Sequence, residues 1–310
     1  MNNHLLALKD FKRDQLLSLI ERALVLKREA SEGRRNQSLA GRTISMLFDK
    51  PSTRTRVSFE AAMYGLGGQV IHMSSKESQL TRGEPLKDMA RVLARYVDAV
   101  VVRTYGQHVV EELARYSRVP VINALTDRYH PCQVLSDIMT VYETRQDPGN
   151  LKIVWLGDGN NMANSWIEAA SVMNFSLTLA CPAGYGPDER VFAQACERAA
   201  SPITLLEDPV AAVADADVIN VDVWASMGQE EEQEKRVRIF QPYQLNAELL
   251  GHAKDNAVVL HCLPAHRGEE ITDEVLEGKQ SVAFDQAENK MHIHKAILER
   301  FILRPEASAA

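Results

Sequence analysis

Residues 52–56 of this chain read Ser52-Thr53-Arg54-Thr55-Arg56, three hydroxyls and two guanidinium groups in one unbroken run. The apolar residues 43–48 before them read as a strand, and residues 53–65 carry the spacing of an amphipathic helix. Pro51 suits the start of that helix, where a missing N–H has no partner to lose. Free N–H groups at a helix start attract anions. Hydroxyls and a planar guanidinium added there form a pocket for a phosphate with two or three charged oxygens. The other reading of the same residues is a Ser/Thr cap beside solvated arginines.

Other reactive groups follow apolar runs in the same way. Arg103 closes the run Val100-Val101-Val102, and His130 stands before Pro131-Cys132-Gln133. Arg54, Arg103 and His130 together could hold a small phosphorylated compound and polarise a carbonyl on it. Taken singly, Arg103 also reads as a strand-end charge and His130 as a structural histidine. Gly157-Asp158-Gly159-Asn160-Asn161 invites a dinucleotide reading but lacks the third glycine of that fingerprint. Its paired asparagines suit a polar amino-acid ligand better. Asp222 and the turn Ser226-Met227-Gly228 could hold an ammonium group, or be ordinary strand-end and turn residues. Cys262 follows Ala257-Val258-Val259-Leu260. Such a thiol is inert when buried. Flanked by His261 and Leu263-Pro264 it could instead face a cleft and lose its proton near neutral pH beside positive charge. The histidine and cysteine spacing fits no zinc pattern.

These groups must be positioned by alternating elements. Strands are expected at 43–48, 69–73, 98–103, 119–123, 152–157, 176–181, 203–206, 217–222, 257–262 and 281–284. Helices are expected at 53–65, 85–96, 107–117, 132–145, 162–174, 188–200 and about 286–302. Such alternation predicts an α/β fold of parallel sheets with helices on both faces. Ten strands are many for one sheet, and residues 146–150 form a polar, turn-rich break. The expectation is therefore two doubly wound parallel-sheet domains, 1–147 and 148–285, with the segment 286–310 joining the first and an active-site cleft between the domains. Ligands of open α/β sheets bind at the carboxyl ends of strands, where the reactive residues above fall. The highly charged segment 228–238 is expected to be a mobile surface loop. His72, His292 and His294 read as surface or core residues.

Composition removes several classes of function. The chain has 310 residues, 45% of them hydrophobic and 25% charged, and a net charge of −7 without a long basic run. That argues against nucleic acid as a partner. No apolar stretch approaches the ~20 residues of a membrane span, and the N-terminal residues lack the pattern of a secretory signal. Four scattered cysteines without a C-x-x-C pair fit free thiols in the cytosol.

The motifs resemble one family. Phe48-Asp49-Lys50-Pro51-Ser52-Thr53-Arg54-Thr55-Arg56 is similar to the carbamoyl-phosphate motif of the aspartate/ornithine carbamoyltransferases, and His130-Pro131-Cys132-Gln133 resembles their second signature. Asp222-Val223-Trp224-Ala225-Ser226-Met227-Gly228 and His261-Cys262-Leu263-Pro264 resemble the ornithine branch. The resemblance implies carbamoyl transfer from carbamoyl phosphate to L-ornithine, giving L-citrulline and phosphate, by homotrimers that use no metal or organic cofactor. It implies that Ser52, Thr53, Arg54 and Thr55 bind phosphate, and that Arg103 bridges phosphate and carbonyl. His130 and Gln133 would hold the carbamoyl end, and Gln79 would reach the phosphate of a neighbouring subunit. Asn161, Asp222, Ser226 and Met227 would bind ornithine. Cys262 would face its δ-amino group and help it lose its proton, and Cys262 and Leu263 would also belong to the carbamoyl-phosphate site, Leu263 through a backbone contact.

Two positions depart from the family pattern. Asp49 stands where Glu is usual, a mild change outside the phosphate contacts. Lys290, in Glu288-Asn289-Lys290, stands where Arg is usual. Lys keeps the charge but loses the planar fork, so Lys290 is expected to bind carbamoyl phosphate more weakly than Arg. The alternatives are a carbamoyltransferase for aspartate, putrescine or an acylated ornithine, and a non-catalytic sensor on the same fold.

Overall fold

The computed structural model describes residues 3–74, 83–145, 148–225 and 233–303. The chain forms two compact units, one comprising residues up to Leu135 together with those from Asn289 onward, the other running from Ser136 to Glu288.

The first unit holds helix α1 (Arg13–Ser31), then β1 (Thr43–Phe48), α2 (Thr53–Gly65), β2 (Gln69–Ser74), α3 (Leu86–Leu93), β3 (Ala99–Arg103), α4 (Gln107–Tyr116) and β4 (Val121–Leu125). Its four strands are parallel in the order β2-β1-β3-β4. β1 and β3 are almost continuous runs of buried apolar side chains, as a sheet covered on both faces requires. Strand order reverses between β1 and β3, so the crevice of this sheet opens beside Phe48 and Arg103.

Helix α5 (Pro131–Arg145) begins in the first unit and ends in the second. The second unit continues through β5 (Lys152–Leu156), α6 (Asn161–Met173), β6 (Ser176–Ala180), α7 (Glu189–Arg198), β7 (Ile203–Leu206), α8 (Pro209–Val213), β8 (Val218–Val221), α9 (Gln233–Phe240), α10 (Ala247–Leu250), β9 (Val258–His261) and α11 (Asp273–Leu276). Its five strands are parallel in the order β7-β6-β5-β8-β9. Here the reversal lies between β5 and β8, which lead into residues 157–161 and Asp222.

Helix α12 (Ala283–Ile302) starts in the second unit and finishes in the first. There Glu299 accepts hydrogen bonds from Arg22, Asn36 and Ser38, which ties the helix to α1 and the segment after it. Phe301 packs edge-on against Phe11.

Two expectations need correction. Residues 281–284 are not a strand. Ser281 makes one isolated bridge with Val259, and Ala283 already opens α12, because the apolar run is too short to add a sixth strand before the helix begins. Segment 228–238 is not a loop throughout either. From Gln233 it is helix α9, held by burial of Arg236 and Phe240 one turn apart. The run of charges hid that inward-facing pair.

Candidate active site

In the first unit the candidate residues gather at the carboxyl ends of β1, β3 and β4. Ser52 caps α2, its Oγ accepting the Thr55 N–H at 3.2 Å. Thr53, Arg54 and Thr55 are the first three helical residues, with Arg54 exposed and Thr55 buried. Arg56 turns away and pairs with Glu60 on the helix surface. Arg103 is buried at the end of β3, opposite Phe48. His130 lies in a tight turn in which Tyr129 N–H donates to Thr126 Oγ1 and Thr126 N–H to the Tyr129 carbonyl. Gln133 sits in the first turn of α5.

Lys290 comes to the same place from α12. Its ammonium donates to Gln133 Oε1 at 2.8 Å and to Thr55 Oγ1 at 3.2 Å, which fixes both side chains. One turn further on, His294 lies flat on Phe59, ring centroids 3.6 Å apart. Neither of its ring nitrogens has a hydrogen-bond partner among the described residues. Burial first, then the Lys290, Arg103 and His294 side chains, hold His130 well below the usual histidine pKa. Burial and Lys290 do the same to His294. Both imidazoles are therefore neutral, and the cluster carries its positive charge on Arg54, Arg103 and Lys290. Burial pushes the Cys132 thiol up to about 12, so this cysteine is no nucleophile.

The two histidines predict a pH dependence of stability. Unfolded histidine takes up a proton near pH 6.5, whereas the folded rings resist it. Their contribution is thus complete above pH 6.5 and is lost as pH falls, by up to about 1.4 kcal/mol per pH unit for each ring. His294→Gln is expected to narrow the gap in urea midpoint between pH 7.5 and pH 5.5. A gap equal to that of the parent protein refutes this assignment.

In the second unit the candidates gather at the ends of β5, β8 and β9. Asn160 caps α6 through Met162 N–H and Ala163 N–H, and its Nδ2 donates to Asp222 Oδ2 at 3.0 Å. Asn161 is the first helical residue beside it. The other Asp222 oxygen accepts from the Cys262 thiol at 3.0 Å. Cys262 is half-buried, so its thiol is held without being sealed off. Leu263 adopts a left-handed backbone at φ 56°, and its N–H donates to His261 Nδ1 at 2.9 Å. Nδ1 must then be the unprotonated nitrogen, so Nε2 carries the proton and donates to Glu270 at 3.0 Å. Glu270 and His261 thus brace the turn that presents Cys262.

Gly159 is explained by packing. A Cβ there would lie 2.1 Å from the Gly186 carbonyl carbon, and Gly159 N–H donates to the Tyr185 carbonyl. The chain's own backbone occupies the approach that a nucleotide pyrophosphate needs, which closes the dinucleotide reading.

Sequence reasoning pointed to the Asn160-Asn161 pair but gave Asp158 no role of its own, and it missed Glu270 and Arg236. Arg236 forms a buried ion pair with Asp158 at 3.1 Å and donates to the Trp224 carbonyl. Burial pushes the Asp158 carboxyl up to about 6 against the pull of Arg236. The signal for Arg236 was its place in Arg236-Val237-Arg238-Ile239-Phe240, one turn before a buried aromatic. Glu270 had no local signal. Gln79, Ser226 and Met227 lie outside the described residues.

Residues 3–143 match the carbamoyl-P binding domain of aspartate/ornithine carbamoyltransferases, and residues 149–301 match their Asp/Orn binding domain. The chain belongs to the aspartate/ornithine carbamoyltransferase family. Within it, the chain is 65% identical to the ornithine carbamoyltransferase of Desulfotalea psychrophila, over 97% of this chain and 100% of the relative. It is 54% identical to that of Geobacter sulfurreducens, over 96% and 98%. The solved structure of ornithine carbamoyltransferase from Pyrococcus furiosus superposes with a TM-score of 0.93 at 48% identity, covering 96% of each chain.

Proposed function

We propose that this chain transfers the carbamoyl group of carbamoyl phosphate to the δ-amino group of L-ornithine, giving L-citrulline and phosphate, as a step of arginine biosynthesis. What carries the reading is the Cys262–Asp222 pair, held by Asn160, in a chain that shares 65% of its residues with an ornithine carbamoyltransferase. A thiol beside a carboxylate and an asparagine suits an alkyl ammonium that must become an amine.

The first domain, 1–147 with the closing segment 286–310, binds carbamoyl phosphate in this reading. Ser52, Thr53, Arg54 and Thr55 take the phosphate oxygens, with Gln79 reaching in from a neighbouring subunit. Arg103 and His130 hold the carbonyl oxygen, where negative charge grows during attack. A neutral His130 donates one hydrogen bond there without adding a further cation. Gln133 and Lys290 complete the carbamoyl end, and Leu263 supplies a backbone contact. The second domain, 148–285, binds ornithine through Asn161, Asp222, Ser226 and Met227. Cys262 assists loss of the δ-ammonium proton. The freed amine attacks the carbamoyl carbon, the C–O bond to phosphate breaks with its electron pair leaving on phosphate, and the proton shed by the attacking nitrogen passes to that departing phosphate. Holding both small substrates also removes much of the entropic barrier.

The reading includes a homotrimer in the cytoplasm. Val57 and Tyr64 on α2, Ile71 on edge strand β2, and Val92 with Tyr96 at α3 are all exposed in the single chain, which supports a subunit interface on the first unit. All four cysteines are free, and no described helix is long and apolar enough to cross a membrane.

Citrulline formation, or the corresponding carbamoylated product, tests the reading with L-ornithine, L-aspartate, putrescine and N-acetylornithine offered separately. Turnover with ornithine alone is expected. Turnover with another amine moves the substrate, and carbamoyl-phosphate binding without any turnover makes the chain a sensor.

A further inference from the structure

Asp49 stands one residue beyond β1, and it grips the end of β3 in two ways. Its N–H donates to the Arg103 carbonyl at 2.8 Å. Its Oδ2 accepts the Thr104 hydroxyl at 2.5 Å. Main chain and side chain of one residue therefore hold both members of the Arg103-Thr104 pair. On the other flank the pairing of β3 with β4 slips at this point. Val102 faces Asn123, but Arg103 faces Leu125, leaving Ala124 as an extra residue. Such bulges re-aim the side chains beside them. Thr104 N–H then donates to the Leu125 carbonyl at 3.0 Å, and the Thr104 hydroxyl, on a side chain only 2% exposed, depends on Asp49.

The chemistry of Asp49 is otherwise out of place. A carboxylate beside Arg103 and the start of α2 repels an incoming phosphate. Its second oxygen is buried and has no hydrogen-bond partner among the described residues. A residue that opposes the ligand must supply something else, and the visible service is acceptance of the Thr104 hydroxyl. We propose that Asp49 is a positioning residue that acts through Thr104 to fix where the Arg103 side chain leaves β3. The proposal rests on the reading of Arg103 as the group at the carbamoyl carbonyl.

The test is steady-state kinetics with thermal unfolding on Asp49→Ala, Thr104→Val, the double variant and Asp49→Asn. Asp49→Ala and Thr104→Val are each expected to lower kcat about 10- to 100-fold, the cost of an ångström-scale misplacement, with KM for carbamoyl phosphate changed less than about threefold. The double variant is expected to be no worse than the more damaged single one, because both remove the same bond. Asp49→Asn keeps an oxygen acceptor and is expected to stay within about threefold of the parent. Lower melting temperatures with unchanged kcat reduce Asp49 to strand-end glue and overturn the proposal, as do independent, multiplying effects of the two substitutions. An active parent enzyme with an unaffected Asp49→Ala rejects the positioning role alone, whereas a parent that makes no citrulline rejects the function and this role together.

Discussion

Arg103→Met is expected to lower kcat/KM for citrulline formation about a thousandfold, some 4 kcal/mol of transition-state stabilisation. The guanidinium closes a buried strand, so its fork is already oriented and little freedom remains to be lost when a ligand arrives. Methionine fills most of the volume but donates nothing. Stability should move the other way or hardly at all, since a buried cation costs several kcal/mol of desolvation that an apolar chain does not. Kinetics and a melting curve on one preparation decide the matter. Activity within tenfold of the parent removes Arg103 from the reacting carbonyl.

Cys262→Ala is the second large effect, expected at about a hundredfold in kcat. The thiol donates to Asp222 at 3.0 Å, and Asp222 is held from its other side by Asn160. Loss of the thiol leaves the first unit's cluster of Arg54, Thr55, Arg103, His130, Gln133 and Lys290 untouched. KM for carbamoyl phosphate should therefore stay within about threefold. A large rise in that KM with little change in kcat would place Cys262 on carbamoyl phosphate rather than on the amine.

The parts of this architecture that were legible in the sequence are those written locally. α2 was expected at 53–65 and lies at Thr53–Gly65, because Pro51 and Ser52 announce its start and Gly65 its end. Nine strands were visible as apolar runs bounded by polar turns. The tenth, 281–284, failed because an apolar run that short also fits a helix start, and only its neighbours decide. Long-range partners left no local trace. Lys290 reaches Thr55 from 235 positions away, and Glu270 meets His261 only because the chain after Pro264 folds back. Asp49 looked incidental for the same reason. Its partner Thr104 is 55 positions on, and the register slip that gives the contact its meaning belongs to a third strand.

The crowding at Gly159 has a consequence for heredity. Glycine codons are separated by one base change only from codons for other glycines, for larger residues, or for termination. Every missense change at this position adds a carbon where the Gly186 backbone leaves 2.1 Å. Neither a small residue nor a chemically similar one offers an intermediate step, and backbone cannot swing aside as a flexible side chain can. Drift at position 159 is therefore barred in all directions at once, and a lineage can change it only after the facing turn at 183–187 has moved.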